Sequence, residues 1–256
     1  MIRIIPSYLV IGGATYLLYD IFIKRLGMGE LLRNLMFISW LREGTTRYWY
    51  VLAIVVFYLL FPMLYRFIHG GKNGLLKTVL FSLCCWALVE LVCEIVPYVN
   101  TFRVAFARLP IFTIGIYCGK LAYKKVPIKK ITVFILLLCG YALFLGLKTP
   151  ILKPVASYLY YPVRAMLAIS IIITIIILIE IIEKRANSFY NVIKEMLDWF
   201  GGLTLELYLL HQSYLILFES PYKLTTYPIV AFVLPTLTAG VIYLVREKRK
   251  LQERRK

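Results

Sequence analysis

Apolar residues along this chain gather in runs close to the ~20 residues that an α-helix needs to cross ~30 Å of hydrocarbon at ~1.5 Å per residue. The runs predict spans at Ile5–Ile23, Tyr48–Ile68, Leu75–Pro97, Val104–Tyr123, Lys129–Leu147, Val163–Ile182, Trp199–Glu219 and Thr226–Val245. The stretch Glu30–Trp40 is apolar but short, and Arg33 and Asn34 interrupt it, so it reads as an interfacial or re-entrant helix. About eight crossings remain, an even number that places both ends of the chain on one side.

Composition supports the same class. Hydrophobic residues make up 61% of the chain and charged ones 17%, with a mean hydropathy of +0.78. An average soluble domain is roughly half apolar and about a quarter charged, so this much apolar surface does not fit inside one water-facing core. The expected fold is all-α, a polytopic membrane helical bundle. With no internal repeat, low-complexity linker or composition shift, residues 1–256 read as one membrane domain, a bundle over 1–245 followed by a basic tail over 246–256.

The distribution of Lys and Arg sets the orientation, because their excess marks cytoplasmic loops. With the amino end inside, nineteen of the thirty basic residues fall on the cytoplasmic side, seven of them between Arg246 and Lys256. Both termini are therefore expected to be cytoplasmic. The net charge of +17 and the tail REKRKLQERRK could suggest a nucleic-acid arm. Juxtamembrane basic clusters instead meet the anionic cytoplasmic leaflet, so the expected partners are membrane lipids and no nucleic acid. All five cysteines lie inside spans without Cys-x-x-Cys spacing or clustered polar ligands, which argues against metal and disulfide roles. Arg3 is followed by a full-length span rather than a short apolar region with a cleavage site, so no cleavable signal peptide is expected.

Polar side chains deep in a bilayer cost ~2.5–3.5 kcal/mol on insertion scales when charged, and they face a bundle interior or a cavity. The seventh run is the densest in them. Thr204, Tyr208 and His211 follow i, i+4, i+7 spacing on one helical face, and Glu206 lies on another, in register with Ser213. His211 suits proton transfer because imidazole titrates near neutrality. The same residues could equally serve as hydrogen-bonding glue between helices. Glu90 and Glu94, with Arg103 and Arg108 beyond them, read as a structural carboxylate–arginine cluster, although a paired-carboxylate site is conceivable. Asp20 and Glu180 are expected to reach the interface, and Tyr48, Trp49, Tyr50 and Tyr123 to form part of the aromatic belt. No P-loop, GxSxG elbow, HExxH or kinase-like loop is present.

Gly201–His211, GGLTLELYLLH, resembles the late signature of acyltransferase family 3, G-x-x-(S/T)-x-E-(I/L)-Y-L-x-H. Arg3–Tyr8 resembles the end of that family's R-x-x-R-I-x-P-x-Y motif. Tyr48–Pro62 resembles its W-(F/Y)-L helix ending in Y-L-x-x-P, and Arg108–Gly115, RLPIFTIG, its R-x-P-x-F-x-x-G turn. Together these segments cover nearly the whole chain in the expected order.

The resemblance implies an integral-membrane acyltransferase that takes an acyl group, often acetyl, from acyl-CoA on the cytoplasmic face. No cofactor is expected to stay bound, with acetyl-CoA acting as co-substrate. The implied acceptor is a hydroxyl of a carbohydrate or lipid-linked envelope component, and the implied location is a bacterial cytoplasmic membrane. Carried over by position, the implied residues are His211, Tyr208 and Glu206 as catalytic, Arg3 and Arg108 as contacts to the acyl-CoA, and Trp49 as a substrate contact, with no metal. Members typically have about ten spans and a catalytic histidine in the first, which neither His69 nor His211 matches. Two further amino-terminal spans, and low turnover by residues 1–256 alone, are therefore expected. A transporter or carrier of lipid-linked sugars is the alternative from another class.

Overall fold

The computed structural model describes residues 4–43, 48–126, 129–185, 187–218 and 229–253. The protein is an all-α membrane bundle, with no strand among those residues. Among the described residues, five helical segments are long and apolar enough to cross a membrane: Ile4–Ile23, Trp49–His69, Gly74–Ile95, Arg103–Tyr123 and Lys153–Arg185. They coincide with five of the eight expected runs. Two shorter apolar helices, Lys130–Gly146 and Ile229–Leu244, cover two more. The remaining run, Trp199–Glu219, lies in a helix that starts well before it, at Asn187. Hydropathy marks where a helix enters lipid, whereas hydrogen bonding starts earlier, along the polar stretch preceding Trp199.

The chain divides into a terminal unit, Met1–Val55 with Val192–Lys256, and a central unit, Val56–Asn191. In the terminal unit, α1 (Ile4–Tyr16) continues into a π-helical stretch, Leu17–Ile23. There Lys24 N–H reaches back to Tyr19 O at 2.8 Å and Leu26 N–H to Asp20 O at 2.7 Å. Two short helices follow, α2 (Met28–Leu35) and α3 (Ile38–Glu43). Gly27, at φ 88°, opens α2 in a conformation that other residues avoid, and Phe37, at φ 59°, breaks the chain between α2 and α3. The stretch expected to be an interfacial or re-entrant helix is therefore two short helices. The unit also holds the start of α4 (Trp49–His69), most of α10 (Asn187–Leu217), a π-helical turn at Ile229–Val233 and α11 (Leu234–Glu253). Ile4, Tyr8, Tyr16, Leu31, Tyr48, Val51, Leu209 and Ile216 form one core, and Leu203, Leu210 and Ala239 a second.

In the central unit, the rest of α4 is joined to α5 (Gly74–Ile95) by a glycine-rich turn. A Cβ on Gly70 would stand 2.7 Å from the Arg66 carbonyl oxygen, and Gly71 sits at φ 112°. The Lys77 ammonium donates to Gly70 O at 2.5 Å and Phe67 O at 3.2 Å, satisfying carbonyls that the end of α4 leaves open. Helix α5 stops before Pro97, which disfavours helical geometry in the residue ahead of it. Then follow a 3₁₀ turn (Pro97–Phe102), α6 (Arg103–Phe106), α7 (Arg108–Tyr123), α8 (Lys130–Gly146) and α9 (Ala156–Arg185). Helices α8 and α9 pack closely at Gly140, where a Cβ would come within 3.0 Å of Leu167. Large apolar residues such as Ile171, Ile172, Ile175 and Ile176 on α9 face outward, as a lipid-facing surface requires.

Candidate active site

Within the terminal unit, the late helix α10 carries the family-like signature, and the structure separates its polar residues by partner. Thr204 is exposed and donates only to its own helix, to Phe200 O at 3.0 Å and Gly201 O at 3.1 Å. Tyr208 is half-buried and meets Tyr50 edge-on, ring centres 5.1 Å apart. His211 is half-buried, with Nδ1 2.6 Å from the carbonyl oxygen of Ala231 in the π-helical turn. A carbonyl can only accept, so Nδ1 is the donor, and the tautomer this selects leaves the lone pair on Nε2. The three residues spaced along one face thus turn to different neighbours.

Glu206 and Ser213, on the other face, are both buried. Ser213 closes a small ring of hydroxyls: its oxygen lies 2.8 Å from that of Thr15 and 2.6 Å from that of Tyr48, and Tyr48 stands 3.3 Å from Thr15. Thr15 and Ser213 are each anchored to their own helices through Ile11 O and Leu209 O, at 2.7 and 2.8 Å. The sequence pattern places Tyr48 in the aromatic belt, yet it is fully enclosed. Its hydroxyl has found two partners inside the bundle, which an interfacial ring would not need. Trp49 and Tyr50, expected in the same belt, are half-buried and meet edge-on at 5.8 Å.

Asp20 departs furthest from expectation. Instead of reaching the interface it is fully enclosed, with one carboxylate oxygen accepting from Asn34 Nδ2 at 2.9 Å. The π-helical stretch shifts the helical register and swings it inward. Nothing in the composition of that run marks a π-turn.

Arg3 lies outside the described residues. Arg108 is the first residue of α7, with Pro110 in the first turn, and its side chain is exposed. Glu90, buried on α5, takes a two-pronged contact from Arg103, whose Nε donates to Oε1 at 3.0 Å and whose Nη2 meets Oε2. Glu94 one turn on accepts from the Tyr158 hydroxyl at 2.9 Å, and the Arg103 guanidinium stands 5.9 Å from the centre of the Tyr161 ring. Glu90 is thus paired on both oxygens and exposed Glu94 is held by one hydroxyl, contacts that fit a structural cluster. Sequence reasoning misses Tyr158 and Tyr161, for which a tyrosine pair at i, i+3 on α9 is the only signal. His69 closes α4, stacked on Tyr65 at 4.0 Å between ring centres.

A family model described as an acyltransferase domain matches residues 1–246. No curated protein and no solved structure matches the chain. The late signature on α10, the arginine–proline start of α7 and a match that runs through almost every helix all converge on the same conclusion: the chain belongs to acyltransferase family 3.

Proposed function

We propose that this membrane acyltransferase moves an acetyl group from acetyl-CoA to a hydroxyl of a carbohydrate or lipid-linked acceptor at the cell envelope. The observation that carries the reading is the fixed imidazole of His211. With Nδ1 committed to the Ala231 carbonyl, Nε2 is the basic nitrogen. In the proposed step His211 takes the proton-accepting role that the family resemblance implies for a first-span histidine: the acceptor hydroxyl gives its proton to that nitrogen and its oxygen attacks the thioester carbonyl. The C–S bond then breaks and the thiolate leaves as CoA, taking up a proton. Tyr208, beside Tyr50, is proposed to orient the acceptor or donate to the oxyanion, and buried Glu206 to position the helix that bears both. Trp49 would lie against the acceptor.

The proposed orientation keeps both termini in the cytoplasm of a bacterial cell. Arg108 then begins α7 at the outer end, about 24 Å along the helix from Lys124. That distance favours the acceptor side for Arg108 and leaves Arg3 as the arginine suited to CoA phosphates. Reporters fused after Lys256 and in the Lys124–Lys130 connection should both read cytoplasmic; an external reading for either removes this assignment.

The activity test is transfer of radiolabelled acetyl groups from acetyl-CoA to extracted envelope glycans and lipids, in membranes expressing the native gene. Replacing a general base typically lowers turnover about 10²–10⁴-fold, so His211→Ala should fall by that factor at unchanged protein level. Unaltered transfer by that variant would take His211 out of the chemistry.

A further inference from the structure

At one end of the central unit, two adjoining cavities share a wall. The first, of about 530 Å³, is lined by Lys72, Lys120 and Lys124, with Tyr117 and the opening turn of α5 completing it. The second, of about 640 Å³, is a groove between α4 and α7. Phe61 and Tyr65 line it from α4 and Phe112 and Tyr123 from α7, and Lys120 and Lys124 belong to both cavities. No described carboxylate pairs with Lys72, Lys120 or Lys124, in contrast to Arg33 and Arg103. Three uncompensated ammonium groups thus sit at the mouth of an apolar slot.

The slot has an open floor. Gly115 and Gly119, one turn apart on α7, line it, and a Cβ at either would meet nothing within 4 Å. From Phe112 to Lys124 it runs about 18 Å along α7, parallel to a membrane-spanning axis. Phe61, Tyr65 and Tyr123 are exposed, and Phe61 meets Phe112 edge-on across the groove, ring centres 6.3 Å apart. A ligand filling both cavities would have a phosphate at one end and a hydrocarbon chain at the other, aligned with the bilayer. A soluble nucleotide would leave the apolar slot empty.

We propose that this paired cavity is a binding site for an anionic phospholipid, its phosphate held by Lys72, Lys120 and Lys124 and one acyl chain laid along Gly115 and Gly119. Lysine serves here as a point-charge phosphate donor, and basic residues near a membrane surface favour anionic lipid. The site does not depend on acyl transfer and stands whether or not His211 is the base.

The test is native mass spectrometry of the full chain in detergent, titrated with dioleoyl-phosphatidylglycerol or dioleoyl-phosphatidylcholine. Wild type should retain phosphatidylglycerol selectively. A triple variant, Lys72→Gln, Lys120→Gln and Lys124→Gln, should bind it roughly a hundred-fold more weakly, whereas arginine at the same three positions should preserve binding. Gly119→Leu, which fills the slot without touching a charge, should lower retention while leaving thermal unfolding unchanged. Equal binding of the two lipids, or full binding by the glutamine triple or by Gly119→Leu, would overturn the proposal. Displacement of the bound lipid by millimolar inorganic phosphate or CoA would overturn it too, in favour of a site for soluble phosphates.

Discussion

In the central unit one buried polar group is a charge facing its counter-charge, Glu90 against Arg103, with tyrosines around them; in the terminal unit, apart from the buried Asp20 and Glu206, one is a ring of neutral hydroxyls from Thr15, Tyr48 and Ser213. The two solutions differ in what happens when one member is lost. An ion pair taken out of water is held by mutual dependence, and removing one partner strands a charge. Hydroxyls can each rotate to another acceptor, and Thr15 and Ser213 already have backbone carbonyls within reach. A rigid brace and an adjustable contact have been built from the same shortage of water. The adjustable one lies on α10, the helix with the family signature.

The largest effect is expected at the brace. Glu90→Ala strips Arg103 of its carboxylate partner and should destabilise the protein by about 3–5 kcal/mol, toward the lower end because Arg103 is partly exposed. Unfolding in detergent should show it, and Glu90→Ala with Arg103→Leu should recover part of the loss. Trp86→Phe comes next. It removes the indole donor to Ala107 O at 3.1 Å in a buried site and should cost about 1–3 kcal/mol, measurable in the same assay. Tyr48→Phe should cost only about 0.6 kcal/mol, the mean for interhelical hydrogen bonds in membranes, because Thr15 and Ser213 keep each other. A loss as large as that of Glu90→Ala would show that the hydroxyl ring is a brace as well. Thr204→Ala, at an exposed residue bonded only within its own helix, should stay within about 0.5 kcal/mol. A clear loss of acyl transfer in that variant, at normal stability, would place the exposed face of α10 in the reaction.

Hydropathy made the bundle legible because lipid allows a spanning helix few alternatives, and seven of the expected runs fall on apolar helices. The Glu90–Arg103 contact was legible for a related reason: charges so close to a span need a partner, and few are available. What stayed hidden depended on direction. Tyr48 beside Trp49 looks like any interfacial aromatic until the hydroxyls of Thr15 and Ser213 are seen to lie opposite it, and those residues are 33 and 165 positions away in sequence. Thr204, Tyr208 and His211 do share a spacing, but spacing fixes an angle around a helix and not the neighbours waiting at that angle. The tie between His211 and Ala231 depends on the turn at Ile229–Val233, which sequence patterns do not announce.

The wide turn at Leu17–Ile23 has a genetic consequence. A π-turn is the conformational trace of one extra residue accommodated in an α-helix, so this stretch works as an insertion that has been kept. Deleting a single codon within it would let the helix relax to ordinary geometry and leave everything beyond near its present facing. Only the residues of the wide turn itself would be re-aimed, Asp20 with its contact to Asn34 among them. A single-residue deletion in a regular helix instead rotates everything beyond it by about 100°. Here one deletion would restore a more regular helix and disturb a single buried carboxylate.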